Sequence, residues 1–183
     1  MPELPEVRQF LAYWKEAVSD QPIRDIVSWD SLVVTDSEDL LVEKFRGKTF
    51  TQFERVGKNM FTGTADGHWL YFHFGMTGDF EMFQTGDPPP RFARFAVFLE
   101  NNTAVAFLDA RKFGRVSLID SPSAYLAARS IGPDAMEVTW EQFRDIFAAK
   151  KGKIKAALLD QSLIAGVGNI YATEALFAAG IDP

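Results

Sequence analysis

The sequence has no cysteine, only two histidines and no long apolar run. Without cysteine the chain forms neither disulfides nor thiolate zinc sites, and His68 and His73 are too few to hold zinc instead. No segment approaches the roughly 20 apolar residues that cross a bilayer. The acidic amino terminus also lacks the layout of a signal peptide. We therefore expect a cytoplasmic protein, outside membranes, with no metal or other cofactor in this chain.

The formal net charge of −6, taken alone, argues against a nucleic-acid partner. The acidity is unevenly distributed, however. Residues 1–43 hold 3 basic and 10 acidic side chains, whereas residues 44–115 hold 10 basic and 7 acidic ones. The middle of the chain is mildly basic, so the charge neither supports nor excludes DNA as the partner.

The amino-terminal part indicates a helix followed by many strands. Pro5 suits a first helical turn, and apolar residues at helical spacing predict a helix from Pro5 to Val18. Pro2 and Glu3 then form a short arm before it. A brief helix is predicted from Ser37 to Phe45. Runs rich in Val, Phe and Thr predict strands of a sandwich or barrel; they are Ile23–Val34, Thr49–Val56, His68–Phe74, Phe92–Glu100 and Thr103–Leu108.

The carboxy-terminal part returns to helical periodicity. Thr139 suits the N-cap of one helix, and a second helix is predicted from Lys153 to Leu159. The glycine loop 165–168 precedes a third helix, which Asn169 is expected to cap and Gly180 to end.

These patterns predict an α+β fold with two domains. Residues 1–120 form a β-sandwich domain with a leading helix, residues 121–138 form a linker, and residues 139–183 form a helical domain.

Pro2 is the first candidate for chemistry. If Met1 is removed, Pro2 becomes a terminal secondary amine, and terminal amines titrate near pH 8. Such an amine can attack a sugar carbon and form a Schiff base, with Glu3 beside it moving protons. The alternative is an ordinary proline after the initiator methionine.

Three residues in the strand region have functional and structural interpretations. Lys58 follows Gly57 between two predicted strands, where it either reaches a phosphate or is a solvated turn lysine. His73 lies in an aromatic strand and is either a ligand or a satisfied core histidine. Met76 is either exposed on a turn or part of the packing.

The segment Asp109–Arg115 places three cations around Phe113. In a loop, this composition suits a wedge inserted into a base stack, with the cations on phosphates. The alternative is a basic hairpin with a buried phenylalanine. The glycine loop before Asn169 offers backbone amides and a positive helix end to an anion, although capping alone also explains that asparagine.

Together these residues resemble the formamidopyrimidine-DNA glycosylase and endonuclease VIII family. Matching segments occur in order across nearly the whole chain, and the first and last are long and specific. They are Met1–Val7, Gly57–Lys58, His73–Gly78, Asp109–Gly114, Ile131–Asp134, Ile154–Lys155, Leu158–Gln161 and Ala165–Phe177.

The resemblance implies a DNA base-excision repair enzyme with a β-sandwich and a helix–two-turns–helix domain. Pro2 matches the Schiff-base nucleophile, Glu3 the acid that assists glycosidic cleavage, and Lys58 a phosphate-binding lysine beside the lesion. The implied activity is that of a glycosylase that also nicks abasic sites. The Arg-Lys-Phe-Gly form of residues 111–114 resembles the branch acting on oxidised purines, formamidopyrimidine and 8-oxoguanine.

The resemblance also implies a DNA-binding set and a partner. The partner is damaged double-stranded DNA, bound by a monomer associated with a bacterial-type nucleoid. One trio matches the side chains that fill the space left by a flipped nucleotide; it comprises Met76, Arg111 and Phe113. His73 and Asn169 match phosphate ligands of the family, and Lys155 matches a helical-domain lysine near the active site.

Several features depart from the family pattern. Arg91–Arg94 replaces a histidine-containing run, and Ala110 replaces a proline. The sequence stops at Pro183 without a counterpart of the family's zinc finger, so we expect an incomplete helical domain with Leu176 and Phe177 exposed. Weak, salt-sensitive DNA binding and slow turnover are then expected. The alternatives are a weak or inactive damaged-DNA-binding paralogue or fragment, and an interaction protein that reuses the sandwich.

Overall fold

A computed structural model describes residues 2–148 and 150–183. Met1, whose removal the nucleophile hypothesis requires, lies outside the described residues. Helix α1 (Leu4–Val18) begins with a reciprocal cap, because the Glu6 carboxylate accepts a 2.8 Å hydrogen bond from the backbone N–H of Glu3. On its apolar face Val7 and Trp14 are fully buried, and Phe10 and Leu11 are partly buried against the same core. The predicted leading helix is confirmed.

Eight strands and one short helix follow α1 in the described part of the chain. In chain order they are β1 (Ile23–Ser28), α2 (Glu38–Phe45), β2 (Phe50–Val56), β3 (Asn59–Thr64), β4 (Trp69–His73), β5 (Gly78–Gln84), β6 (Ala93–Leu99), β7 (Thr103–Asp109) and β8 (Arg115–Ile119). The eight strands form two four-stranded antiparallel sheets, ordered β1-β6-β7-β5 and β2-β3-β4-β8. The predicted β-sandwich is confirmed.

The main core lies between the two sheets and is closed by α1. Phe72 of one sheet contacts Phe107 of the other at a centroid distance of 5.9 Å, and Trp14 of α1 reaches Phe72 at 5.0 Å. All three side chains are fully buried. Burying each such side chain contributes about 1.5–3 kcal/mol, so this aromatic core joins both sheets to α1.

The predicted linker contains a helix that packs on the outside of the second sheet. Helix α3 (Pro122–Ala128) is capped by the Ser121 hydroxyl, which accepts a 3.2 Å hydrogen bond from Ala124 N. Its Tyr125 ring lies 4.2 Å from the Tyr71 ring of β4. The domain boundaries proposed at residues 120 and 138 stay a prediction.

Three helices form the carboxy-terminal region: α4 (Trp140–Ala148), α5 (Ile154–Leu159) and α6 (Asn169–Ala178). Thr139 and Gln142 cap α4 reciprocally, as predicted for Thr139. Gly180, with a φ of +68°, ends α6 as predicted. The core here is small and consists of the buried residues Leu158, Ala172 and Leu176.

The structure corrects several predicted elements. Strand β1 ends at Ser28 rather than Val34, because Asp30 folds the next residues into a turn through its carboxylate and its carbonyl. Strands β3, β5 and β8 were not predicted as separate elements. Leu176 is buried, contrary to prediction, whereas Phe177 is 77% exposed as predicted. Each helix in the described residues is too short or too polar to span a membrane.

Candidate active site

The Glu3 carboxylate lies at the amino end of α6, where it is buried. Its Oε2 accepts hydrogen bonds from Gly168 N at 2.8 Å and Tyr171 N at 3.3 Å, and its Oε1 accepts one from Ile170 N at 2.8 Å. Glu3 therefore supplies the acceptor for the free amides and the positive end of this helix. The predicted cap was Asn169, which is wrong: the N-cap is Gly168, and Asn169 is the first helical residue.

Two glycines make this close approach possible. A side chain at Gly168 would place its Cβ 2.3 Å from the Glu3 carboxyl carbon, and one at Gly166 would meet the Leu4 side chain at 2.4 Å. The backbone N–H of Leu4 also donates to the Gly166 carbonyl at 3.2 Å. The glycine loop therefore serves to hold the amino-terminal arm against α6.

Pro2 precedes this fixed carboxylate and is half-buried. Lys58, also half-buried, lies near enough to Glu3 to feel its charge. Burial lowers the pKa of the Lys58 ammonium, and the Glu3 carboxylate partly opposes that shift. The structure thus brings Pro2, Glu3 and Lys58 into one region, and their catalytic roles stay a prediction.

The loop that carries Lys58 is braced by a buried ion pair. Arg55 Nη1 and Nη2 donate to the two carboxylate oxygens of Asp134 at 2.5 and 3.2 Å. Asp134 Oδ2 also accepts from Gly57 N at 2.7 Å. Burial opposes ionisation of Asp134, but the Arg55 and Gly57 hydrogen bonds outweigh it and lower its pKa.

This brace continues to the glycine loop. The backbone segments at Asp134 and Ala165 pair, with Ala165 N donating to the Pro133 carbonyl at 2.8 Å and Ala135 N donating to the Ala165 carbonyl at 2.9 Å. A Cβ on Gly57 would lie 2.7 Å from the Ala165 side chain. Asp134 therefore joins the Lys58 loop and the glycine loop, which themselves flank the arm bearing Pro2.

His73 lies at the end of β4 with its imidazole partly accessible. Its Nδ1 accepts a 3.2 Å hydrogen bond from Gly75 N, which leaves Nε2 as the protonated donor of a neutral ring. Burial lowers the His73 pKa, and the charges of Lys58 and Arg115 lower it further. A neutral N–H donor next to two cations can bind a phosphate oxygen.

The predicted wedge trio is exposed on two adjacent loops. Met76 is 43% exposed and Phe113 53% exposed, and the Arg111 guanidinium lies 5.0 Å from the Phe113 ring centroid. Phe113 is therefore not the buried residue of the alternative interpretation. A Cβ on Gly75 would come within 2.5 Å of the Phe113 carbonyl carbon, so the two loops touch directly.

Asp109 holds these two loops in place from below. Its Oδ1 accepts from the Thr77 hydroxyl at 2.5 Å and from Arg111 N at 3.1 Å, and its Oδ2 accepts from Gly114 N at 2.6 Å. Asp109 is fully buried at the end of β7. It positions the wedge without itself reaching the surface.

The last two predicted site residues lie in the helical region. Asn169 is exposed beside the Glu3 carboxylate, at the position where a phosphate ligand was predicted. Lys155 is half-buried in the first turn of α5, and no contact within the described residues joins it to Pro2 or Glu3. Its place near the active site stays a prediction.

Sequence reasoning missed the residues that support the site. Asp109, Asp134 and Arg55 fix the loops, and Glu6 caps the arm. Glu6 beside Pro5 and Asp134 beside Pro133 were the available signals, but only the folded contacts show which segments these carboxylates join.

No group of three or more His, Asp or Glu side chains converges in residues 2–148 and 150–183. The zinc site that the resemblance brings to mind does not fit them, since the chain also has no cysteine.

Comparison with family models gives two matches. The formamidopyrimidine-DNA glycosylase N-terminal domain matches residues 1–116, and the H2TH domain of formamidopyrimidine-DNA glycosylase matches residues 131–183. Among curated proteins, formamidopyrimidine-DNA glycosylases from Herpetosiphon aurantiacus and Desulfitobacterium hafniense are each 34% identical. Each match covers 100% of this chain and 68% of the relative.

Solved structures show the same similarity. The Lactococcus lactis Fpg (MutM) in complex with DNA containing N7-benzyl-Fapy-dG superposes with a TM-score of 0.91 at 30% identity, covering 100% of this chain and 69% of that one. A MutM structure in complex with carbocyclic 8-oxo-G containing DNA gives a TM-score of 0.91 at 28% identity over the same shares.

Proposed function

The chain belongs to the formamidopyrimidine-DNA glycosylase family, and from this premise we propose that it excises oxidised purines from DNA with Pro2 as the nucleophile. The enzyme class is a base-excision repair glycosylase that also cleaves the strand at the abasic site. The observation that carries the assignment of Pro2 is its position next to Glu3, whose carboxylate three backbone N–H groups hold.

The proposed reaction uses the terminal amine of Pro2. Its nitrogen lone pair attacks C1′ of the sugar, the bond between C1′ and the base breaks, and the base leaves with a proton. The bond between C1′ and O4′ then breaks, Glu3 passes a proton from solvent to O4′, and an iminium forms between the Pro2 nitrogen and C1′. Loss of a C2′ proton expels the 3′ phosphate, which nicks the strand. Glu3 is the group placed to move protons at the sugar oxygen, because its Oε1 retains acceptor capacity.

The wedge loops supply the means to expose the damaged nucleotide. Extruding a nucleotide from the stack costs a few kcal/mol. Met76, Arg111 and Phe113 are exposed on loops that Asp109 fixes, so they are ready to enter the vacated space. A preorganised wedge loses little conformational entropy when it inserts.

We assign the phosphates beside the lesion to Lys58, His73 and Asn169. Lys58 supplies a positive charge, and His73 supplies a neutral N–H. Asn169 offers its amide at the amino end of α6, and Lys155 matches a helical-domain lysine near the active site by resemblance. Cationic contacts carry most of the affinity and its salt dependence.

Borohydride trapping on a duplex with an abasic site tests the nucleophile. The parent protein should form a covalent adduct that peptide mapping locates at Pro2, and mass spectrometry should show that Met1 is absent. Pro2→Gly should lose most of the adduct because the secondary amine is gone. Pro5→Gly, which alters a nearby proline but keeps the amine, is the matched control and should trap like the parent.

Equal trapping by Pro2→Gly and the parent would show that another amine reacts, and Lys58 is then the first to examine. DNA binding without any trapping by the parent would instead indicate a binding protein that lacks catalysis.

A further inference from the structure

A groove on the outer face of the second sheet begins at His73, and its other lining residues have no role in the chemistry above. It encloses about 490 Å³, and its lining residues that matter here are Tyr71, His73, Arg115, Ser117, Tyr125 and Arg129. We propose that this sheet-face groove binds the phosphate backbone of the damaged strand, one or two nucleotides beyond the phosphates at Lys58 and His73. The inference rests on the proposed function and extends its DNA contact surface.

The charges of the groove suit a polyanion. Its lining contains two arginines and a histidine but no carboxylate. Neither Arg115 nor Arg129 forms an ion pair within the part of the chain that the structure describes. In a protein with a net charge of −6, two such arginines in one concavity form a local cationic site.

Arg129 is held ready for a ligand. Its guanidinium lies 3.8 Å from the centroid of the Tyr125 ring, and Tyr125 in turn lies 4.2 Å from Tyr71. The Tyr71 hydroxyl donates to the Asn59 side chain at 2.9 Å, which anchors the aromatic pair. Burial raises the pKa of both tyrosines, so neither adds a negative charge to the groove.

Arg115 connects the groove to the phosphate site already described. It is the cross-strand partner of His73 in the β4–β8 pair, and Ser117 is likewise the partner of Tyr71. One guanidinium nitrogen of Arg115 donates to the Gly114 carbonyl at 2.6 Å and to the Lys112 carbonyl at 3.4 Å. Since a guanidinium has five N–H donors, most of its capacity remains for a ligand.

The groove also has a defined end. The adjoining concavity is lined by Asp36 and Asp120 as well as by Arg129. Two carboxylates there repel a phosphate, so the backbone must leave the surface near Arg129. This limit sets the extension at one or two phosphates and makes a continuous path along the whole sheet face unfavourable.

Salt-dependent binding to a duplex with a stable abasic-site analogue tests the groove. Each lost phosphate contact lowers the slope of log affinity against log salt by about 0.9 for duplex DNA. Arg129→Gln and Arg115→Gln should each lower the slope by about that amount. Arg24→Gln is the matched control, because Arg24 also lies near an aromatic ring (Phe98, at 5.9 Å) but belongs to the other sheet. It should bind like the parent.

Shortened duplexes locate the contact. Removing the nucleotides on one side of the lesion should abolish the difference in salt slope between the parent and Arg129→Gln. Removing those on the other side should preserve that difference. Thermal melting of each variant checks that the fold is retained.

Three outcomes are distinct. If both arginine variants have the parent's salt slope, the proposed phosphate contact in the groove is wrong. It is also wrong if the slope changes but neither shortened duplex removes the change, since the lost charge then acts only through the protein's overall electrostatic field. Failure of the parent to bind or trap abasic DNA overturns the proposed function instead.

Discussion

The sandwich and the helical region differ in how they are held together. The sandwich has a large aromatic core in which Trp14, Phe72 and Phe107 are fully buried. The helical region buries only a few small or medium side chains, while Trp140 is 68% exposed and Phe177 77% exposed. The sandwich can therefore be rigid through apolar packing, whereas the helical region depends on other contacts.

Those other contacts are polar and converge on the active site. The Glu3 carboxylate holds the amino end of α6, and Asp134 joins Arg55 to the glycine loop. The same hydrogen bonds that attach the helical region therefore position Pro2 and Lys58. In the proposed mechanism, attachment of the helices and catalysis depend on one set of groups, so a change that loosens the helices should also slow the chemistry.

The largest expected effect compares one substitution in the two cores. Leu70→Ala, at a fully buried site between the sheets, should lower the free energy of unfolding by about 4 kcal/mol. Leu158→Ala should lower it by about 2 kcal/mol, because the small helical core can collapse around the lost methyl groups. Urea unfolding, monitored by circular dichroism, measures both values.

Leu32→Ala serves as the control for this pair. Leu32 is 64% exposed, so its truncation should change the free energy by no more than about 0.5 kcal/mol. Equal losses for Leu70→Ala and Leu158→Ala would contradict the contrast between the two cores.

A smaller effect is expected at the buried ion pair between Arg55 and Asp134. Asp134→Asn removes the charge partner of the buried Arg55 guanidinium and should cost about 3 kcal/mol. It should also slow borohydride trapping, because the single amide oxygen of asparagine cannot accept from both Gly57 N and Met136 N, as the two carboxylate oxygens do. Asp25→Asn alters an exposed Arg–Asp pair with Arg46 and should cost under about 1 kcal/mol with unchanged trapping. Similar losses in both variants would mean that Asp134 is not a special brace.

Much of the sandwich followed from sequence patterns. The spacing of Val7 and Trp14 identified α1, and strands such as β6 and β7 followed from their β-branched and aromatic runs. Strand β3 was missed because it is buried on both faces, which gives no alternation, and its glycine at position 63 weakens the β signal. Pattern reasoning works where one face of an element is solvated.

The candidate active site was predicted mainly from residue type. Pro2, Glu3 and Lys58 come together as expected, but the capping of α6 was assigned to Asn169 because short-range rules favour an asparagine beside a helix. The actual acceptor, Glu3, is separated from Gly168 by 165 positions. No local pattern encodes such a contact, and the same holds for Asp134 with Arg55.

The smallest expected effect is a loss of stability at mildly acidic pH, caused by His73. Burial and the charges of Lys58 and Arg115 lower its pKa below the usual 6.5. The unfolded chain therefore binds more protons than the folded protein as the pH falls below about 6.5, and the free energy of unfolding decreases with falling pH in that window. Asp134, whose pKa is lowered from 3.8, titrates at more acidic pH and does not contribute there.

Urea midpoints at pH 7.5 and pH 5.0 measure this dependence. The parent should lose stability between the two, and His73→Gln should lose less because the titrating group is absent. Lys58→Gln tests the cause, since removing the nearby charge should raise the His73 pKa, as followed by NMR of its ring protons, and reduce the pH dependence in step. If His73→Gln loses as much stability between pH 7.5 and pH 5.0 as the parent does, another group causes the pH dependence. The assignment of His73 as a neutral phosphate donor then needs revision.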